Sequence, residues 1–263
     1  MNNIKKYIYL VNMSLKSSLA YLKDFLISKI FLVFVLITFF FVYRTLLGQN
    51  DKYMGFTLPM LLYYLVVTES IEMSKVLVHN RISSDIKDGS VAYQLIRPMS
   101  FILYHFFSSI GEIILKNFVT LVIGFLAAFV ISGFKTIPVW QIFAGLPVIY
   151  GAVCLNLLFM INIGMFAFYI EETKPIYWIY QKLVFIISGL FVPLEFFPPI
   201  VLKILRYSPF TYMNYFAAKM VVKFNFIEYL QGFSIQLIYI VLLFSTAFLI
   251  YQNGIKRVNI QGG

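Results

Sequence analysis

Glu112 and Lys116 stand four residues apart with the acid first, and Glu69, Glu72 and Lys75 form a second such group earlier in the chain. On a helix this spacing puts acid and base on one face, in the order that favours an ion pair. Both groups lie in or beside long runs of hydrocarbon, where charges are expensive and usually functional. One chemistry they could serve is a relay that passes a proton or an ion. The plainer reading is a rim pair, with Glu112 at the mouth of an apolar span and Lys116 snorkelling back towards it. Glu69 and Glu72, near Lys75, read the same way. Asn156 and Asn162 could line a path, and more simply hydrogen-bond between helices.

Other chemistries lack their parts. One cysteine, Cys154, and two histidines, His79 and His105, assemble no Cys/His metal site and no internal disulfide. The chain has no HExxH, no GxSxG and no GxxxxGK[ST] phosphate loop. "DGSVAY" at 88–93 is superficially similar to the DGxxAR start of lipid-headgroup phosphotransferases. Tyr93, however, stands where the arginine belongs, and no Asp follows Asp88. No catalytic residue is assigned, and the chain is expected not to be an enzyme.

The elements that must hold these residues are themselves apolar. Of 263 residues, 61% are hydrophobic and 12% charged, against about 45–50% and about a quarter in soluble domains. A soluble core of this size cannot hide so much apolar surface, so an all-α membrane protein is expected. Apolar runs place six spans, at 27–47, 56–78, 113–131, 147–170, 176–192 and 233–251. No internal repeat is evident, as an inverted-repeat transporter would require. In residues 1–26, Ile4, Tyr7, Ile8, Val11, Leu15, Leu19 and Leu22 recur at helical spacing, while Lys5, Lys6, Asn12, Lys16 and Lys23 fall elsewhere on the wheel. That pattern suits a helix lying in the membrane interface. Its scattered lysines, with no cleavage site, argue against a removable signal.

The 21 Lys+Arg outnumber the 11 Asp+Glu, but they form no stripe interleaved with stacking aromatics, so nucleic acid is not an expected partner. They flank the spans instead, where cations meet anionic membrane lipids. With the N-terminus inside, Lys5, Lys6, Lys16, Lys23, Lys29, Lys75, Arg81, Lys87, Arg97, Lys174, Lys182, Lys256 and Arg257 face the cytoplasm. Arg44, Lys52, Lys135, Lys203, Arg206, Lys219 and Lys223 face out, and the last four share one long segment that counts for less. Both termini are therefore expected in the cytoplasm.

Two segments interrupt the hydrocarbon. The first is "DIKDGSVAYQLIRPMS" at 85–100. The second span is expected to run on as a helix through "VLVHNRISSDIKD" into the cytoplasm. Gly89 is the natural left-handed stop, Ser90 can cap a short helix over 91–96, and Arg97, preceding a proline, turns the chain. Pro98 suits the first turn of the next helix, "MSFILYHFF", which is aromatic enough for the interface. A connector needs only a few polar residues. Residues 79–100 instead form a knob on a cytoplasmic corner, with Leu95 and Ile96 as apolar contacts and Asp88 and Arg97 as charged flanks.

The second segment is "SGLFVPLEFFPPIVLKILRYSPFTYM" at 188–213. Pro193, Pro198, Pro199 and Pro209 forbid one continuous helix, yet the segment is too apolar for an ordinary loop. Glu195 is its one acid. A re-entrant hairpin dipping into the outer leaflet satisfies both facts, provided protein shields its broken backbone. The following "TYMNYFAAKMVVKFNFIEYLQ" reads as an external interfacial helix, so 193–231 precede the last span as hairpin plus interfacial helix.

Six spans, an interfacial N-terminal helix and "SGLFVPLEFFPP…SPFTYM" resemble the permeases of the ABC type-2 transporter family, with its Gly…Pro…Phe-Pro…Pro-Phe signature. "DIKDGSVAYQLIRPMSFILYHF" is similar to the cytoplasmic loop of one subgroup, an acidic-Gly stretch followed by Leu-x-Arg-Pro. "NGIKRVNIQGG" is like that subgroup's C-terminus. The resemblance covers essentially the whole chain, as a single permease domain over 1–263. It implies that the knob, with Asp88, Gly89, Leu95, Ile96, Arg97 and Pro98, is a coupling helix that docks on a separate ATPase. It implies further a dimer of that ATPase subunit, which would bind ATP and Mg, and a second permease, non-identical by the subgroup's habit.

The missing phosphate loop is consistent with a borrowed motor, and this chain is expected to carry no cofactor. ATP-driven closure of the motor would rock the bundles as rigid bodies. The proline hairpin is read as a gate at the outer end of the pathway. The expected function is therefore the permease subunit of an ABC exporter in a bacterial plasma membrane, moving a hydrophobic or amphipathic cargo. The alternative, a secondary transporter or channel without an ATPase, would want polar residues along several spans, and these are nearly clean.

The charge asymmetry makes a direct prediction. In a Cys154→Ala background, Gln49→Cys reacts with an impermeant maleimide in intact cells and Ser84→Cys does not. Labelling of Ser84→Cys alone would invert the topology.

Overall fold

The computed structural model describes residues 3–91, 93 and 99–257. Its regular structure there is helical, apart from one isolated bridge between Tyr53 and Phe56. Helix α1 (Asn3–Ala20) and short α2 (Leu22–Ile27) lead into α3 (Lys29–Leu47). Then come α4 (Leu58–Met73), α5 (Val78–Lys87), α6 (Phe101–Ile131) and α7 (Val139–Met165). The chain closes with α8 (Lys174–Ile187), α9 (Pro199–Leu205), α10 (Tyr215–Val222) and α11 (Phe226–Ile255). Among the described residues, 4 stretches are long and apolar enough to cross a membrane: Phe25–Leu47, Phe101–Ile131, Val139–Phe168 and Phe226–Ile255.

Helix α4 is the axis of the bundle. Every residue from Leu61 to Ile71 is buried, as befits a helix enclosed by others on all sides, and its polar Thr68, Glu69 and Ser70 go in with the apolar residues. Thr57 starts it by accepting from Met60 N, with Pro59 in the first turn. Helices α3, α6 and α10 pack around it. Small residues let the helices close in: a Cβ on Gly124 of α6 would meet Val66 of α4 at 2.6 Å. The outer faces of α3 and α11 remain exposed and apolar, with Phe34, Phe41, Val241 and Phe248 among them.

Helix α1 lies along α6. Tyr7 packs on Phe107, Glu112 N donates to Ser14 Oγ at 3.0 Å, and a Cβ on Gly111 would strike the Val11 carbonyl. The apolar stripe of α1 is thus divided. Tyr7 and Val11 pack inwards, while Ile4, Ile8 and Leu19 stay exposed.

Several expected boundaries move. The second span does not run on into a cytoplasmic helix: residues 74–77 leave it, and α5 starts afresh at Val78. Ser74 turns its hydroxyl back on the Ile71 carbonyl and Lys75 folds onto Glu72, so the last turn of α4 is closed by its own side chains. "MSFILYHFF" is no separate interfacial helix. It opens α6, where Phe101, Ile102, His105 and Phe106 are buried. That helix starts at Phe101 behind the cap residue Ser100, and Pro98, expected in its first turn, lies outside the described residues. Ser90 bonds back to the Asp85 carbonyl at 3.1 Å, and the helix expected over 91–96, with the cap it would need, falls largely outside the described residues. Pro147 lies inside α7, not at the start of a span. Nor is 211–231 an interfacial helix. Ala217 and Ala218 bring α10 into the core against α4 and α7, and Phe226–Gln231 already belong to α11.

The fifth expected span is half a helix. Helix α8 has 14 residues, about 21 Å, and ends where Gly189 adopts φ +73°. Beyond it four successive carbonyls find donors. Ser188 O accepts from Tyr215 N at 3.0 Å, Gly189 O from the Tyr64 hydroxyl, Leu190 O from Thr68 Oγ1 at 2.7 Å, and Phe191 O from the Tyr43 hydroxyl. Away from water, each would otherwise be left unsatisfied.

Tyr64→Phe therefore leaves the Gly189 carbonyl unpaired in a buried site, at a cost of about 1–3 kcal/mol. Thermal melting of the detergent-purified protein should fall by several degrees, while Tyr9→Phe, at an exposed ring, should leave it unchanged. Equal melting of the two variants would show that the hydroxyl does not hold the break.

Candidate functional site

The first candidate site is the corner made by α5. Val78, His79, Ile82, Ser83 and Ile86 are buried along one face of this helix. That face rests on the end of α7: a Cβ on Gly164 would meet Ile82 Cβ at 2.8 Å and His79 Cα at 3.1 Å. His79 stacks on Tyr177 of α8, centroids 4.2 Å apart, and burial pushes its pKa down to about 4, so a neutral ring fills the contact. Towards α6, His105 Nε2 lies 3.2 Å from Asp85 Oδ2, close but not aligned as a hydrogen bond. At the outer end Lys87 reaches Glu172 at 3.0 Å, and its hydrogen bond and charge hold that carboxyl below the usual range.

The helix then stops. Asp88 N bonds to Ser84 O, Gly89 N to Ile86 O, and the Ser84 hydroxyl donates to Asp88 Oδ2 at 2.8 Å. Gly89 sits at φ +71° with no described atom within 4 Å of where its Cβ would be, the left-handed conformation that ends helices. Leu95, Ile96, Arg97 and Pro98 lie outside the described residues.

The acids form separate pairs on two helices. Glu112 of α6 accepts Lys116 at 2.7 Å and lies 3.5 Å from Arg81 of α5. Glu72, in the last turn of α4, accepts Lys75 and also Asn214 Nδ2 at 3.2 Å, which in turn reaches Ser188 Oγ at 2.9 Å. Glu69 is buried beside them on α4. Asn156 accepts from the Tyr180 hydroxyl at 2.8 Å. Asn162 donates to Leu243 O at 3.0 Å and accepts from Thr246 at 2.9 Å, joining α7 to α11.

The second candidate site is the proline hairpin. Pro193 precedes a 3-10 turn over Leu194–Phe196, Pro198 and Pro199 start α9, and Pro209 opens another 3-10 turn, so each sits where no amide donor is needed. Glu195 Oε1 accepts from the Tyr215 hydroxyl at 2.6 Å and from Lys219 at 3.2 Å, and Lys219 also reaches Glu228 at 2.8 Å. These groups, with Arg206, Tyr212 and Phe216, line a cavity of about 310 Å³. An acid at 195 was legible in the sequence. Its partners on α10 and α11 were not, and neither were Tyr43, Tyr64 and Thr68, whose one signal was a hydroxyl inside an apolar span.

A helical bundle with exposed apolar outer faces and, among the described residues, four helices long enough to cross a bilayer is that of a membrane protein. A family model described as ABC-2 family transporter protein matches residues 32–262, and the chain belongs to that family. It is an integral membrane protein, the permease component of an ABC transporter, from a family that works with ABC ATPase subunits. No curated protein matches the chain.

Lys219 bridges two carboxylates, so its loss is coupled to the charge on Glu195. In a thermal-melting double-mutant cycle, Lys219→Met and Glu195→Gln should interact by about 0.5 kcal/mol or more, because removing both leaves no unpaired carboxylate at 195. Additive effects would show that the two do not act as a unit.

Proposed function

We propose that this permease is one half of an ABC exporter, crossing the plasma membrane six times with both termini in the cytoplasm. The observation that carries the reading is the seating of α5. It packs on α7 at Gly164, stacks on α8 through His79 and meets α6 at Arg81–Glu112. A partner pressing on the stretch after Gly89 would therefore move three helices together, as rigid-body coupling requires. Asp88, Gly89, Leu95, Ile96, Arg97 and Pro98 would form the docking knob. A dimer of ATPase subunits would receive it and hold ATP and Mg, for which this chain has no phosphate loop. A second, non-identical permease would close the pathway.

Helices α4 and α8, with 16 and 14 residues, would complete their crossings through the segments that follow them, which is why neither stands out by length. The hairpin, with Pro193, Glu195, Pro198, Pro199 and Pro209, would gate the outer end. An apolar groove beside it, lined by Phe41, Val42, Leu46, Val192 and Phe196, supports a hydrophobic or amphipathic cargo.

Gly89→Val puts a β-branched residue at positive φ, costing on the order of 1–2 kcal/mol, with no atom of the described residues in the way. Combined with Arg97→Glu, it should leave membrane insertion intact while reducing both co-purification of the ATPase and export from the same cells. Normal co-purification with normal export would make the stretch an ordinary loop.

A further inference from the structure

A cavity of about 430 Å³ opens where α1 meets α6 and the start of α3, with Ser17, Tyr21, Phe25, Arg81, Glu112 and Lys116 on its walls. Its electrostatics are unbalanced. Arg81 and Lys116 share the single carboxylate of Glu112, at 3.5 and 2.7 Å. Lys29, 3% exposed, has no hydrogen-bond partner for its Nζ among the described residues, which lies 3.8 Å over the Phe25 ring. Lys116 Nζ lies 5.9 Å from the same ring, so two ammonium groups flank one wall of the cavity. Glu69 is the acid within Coulombic reach of Lys29. Three cations thus face two carboxylates, and a buried ammonium that touches only an aromatic ring is poorly compensated. At the mouth, the hydroxyls of Ser17 and Tyr21 bond to no described group.

The surroundings say what kind of anion fits. Ile27, at the end of α2, and Ile30, Phe31 and Phe34 of α3 leave an exposed apolar track that follows directly in the chain on Phe25 and Ser28 of the cavity wall. A free anion has no use for that track, and an acyl chain does. We infer that this seam binds the phosphate headgroup of an anionic phospholipid, with the phosphate among Lys116, Arg81, Ser17 and Tyr21 and the chains lying along α3. The inference rests on the interfacial placement of α1 in the reading above, but on neither its ATPase nor its direction of transport. Because Arg81 belongs to α5, a bound lipid would touch the docking corner, tying its seating to the composition of the surrounding leaflet.

The test uses the full chain, purified in detergent, delipidated, and examined by native mass spectrometry after adding palmitoyl-oleoyl phosphatidylglycerol or phosphatidylcholine. Bound phosphatidylglycerol should exceed phosphatidylcholine by about tenfold. Arg81→Gln with Lys116→Gln should abolish the preference. So should Ser17→Phe, which fills the cavity without changing charge and carries the test if the charge variant does not fold. Lys52→Gln with Lys135→Gln, outside the cavity, should retain it. Equal retention of the two lipids overturns the site, as does a preference that survives Ser17→Phe. Displacement of phosphatidylglycerol by inorganic phosphate alone would assign the cavity to a free anion and overturn the lipid. No ATPase or transport enters this assay, so failure of the exporter reading would leave its outcome untouched.

Discussion

The carbonyls of Ser188, Gly189, Leu190 and Phe191 must be hydrogen-bonded at a place water does not reach, and much of the bundle is arranged around that constraint. Ending α8 early frees the chain to turn, but each carbonyl past the end needs a donor brought from elsewhere. Tyr43 comes from α3, Tyr64 and Thr68 from α4, and the Tyr215 amide from α10. These three elements are thereby fixed in height as well as in contact. Asn214 adds a fifth tie, since it bonds both Ser188 and Glu72. The irregular segment is the point on which three neighbouring elements are registered.

The rest of the packing follows a different physics. Where the helices meet without polar groups, close approach does the work, as at Gly111 against α1, Gly124 against α4 and Gly164 against α5. Charges are held where they can be paired, with Glu112 shared by Arg81 and Lys116, and Lys219 shared by Glu195 and Glu228. The corner made by α5 uses both devices. It is seated by Ile82 and a neutral His79, and its rim is tied by Lys87 to Glu172. The contact is therefore largely indifferent to ionic strength at its centre and sensitive to it only at the edge.

How much of this was readable beforehand depended on whether the determinant was local. Gly89 and the prolines act through their own backbone, and the sequence announced them. Glu112 and Lys116 are one turn apart, and their pairing was equally plain. The continuous helix expected after the second span failed because Ser74 and Lys75 close the last turn of α4 onto itself, a side-chain competition that apolar counting ignores. The interfacial helix expected over 211–231 failed because its polar and apolar residues were weighed without their partners. Ala217 and Ala218 fit a slot between α4 and α7 that only the folded bundle provides. Tyr64 and Thr68 could not be singled out at all, since the carbonyls they serve lie more than a hundred residues away.

That separation bears on how the chain is made. Helix α4 carries Thr68, Glu69, Ser70 and Glu72 within 16 residues, a poor sequence to leave alone in lipid. Its bonds to Gly189, Leu190 and Asn214 span 125, 122 and 142 residues. At ribosomal speed those partners emerge roughly ten seconds or more after α4 itself. During biosynthesis α4 has α3 and α6 for company, with Lys75 for Glu72 and Asn117 for Ser70, but the Tyr64 and Thr68 hydroxyls remain without their distant acceptors. The nascent chain must therefore be sheltered, in the translocation machinery or against an insertase, until its last third arrives. A truncated product lacking that third would leave the ties of α4 to Gly189, Leu190 and Asn214 unmade.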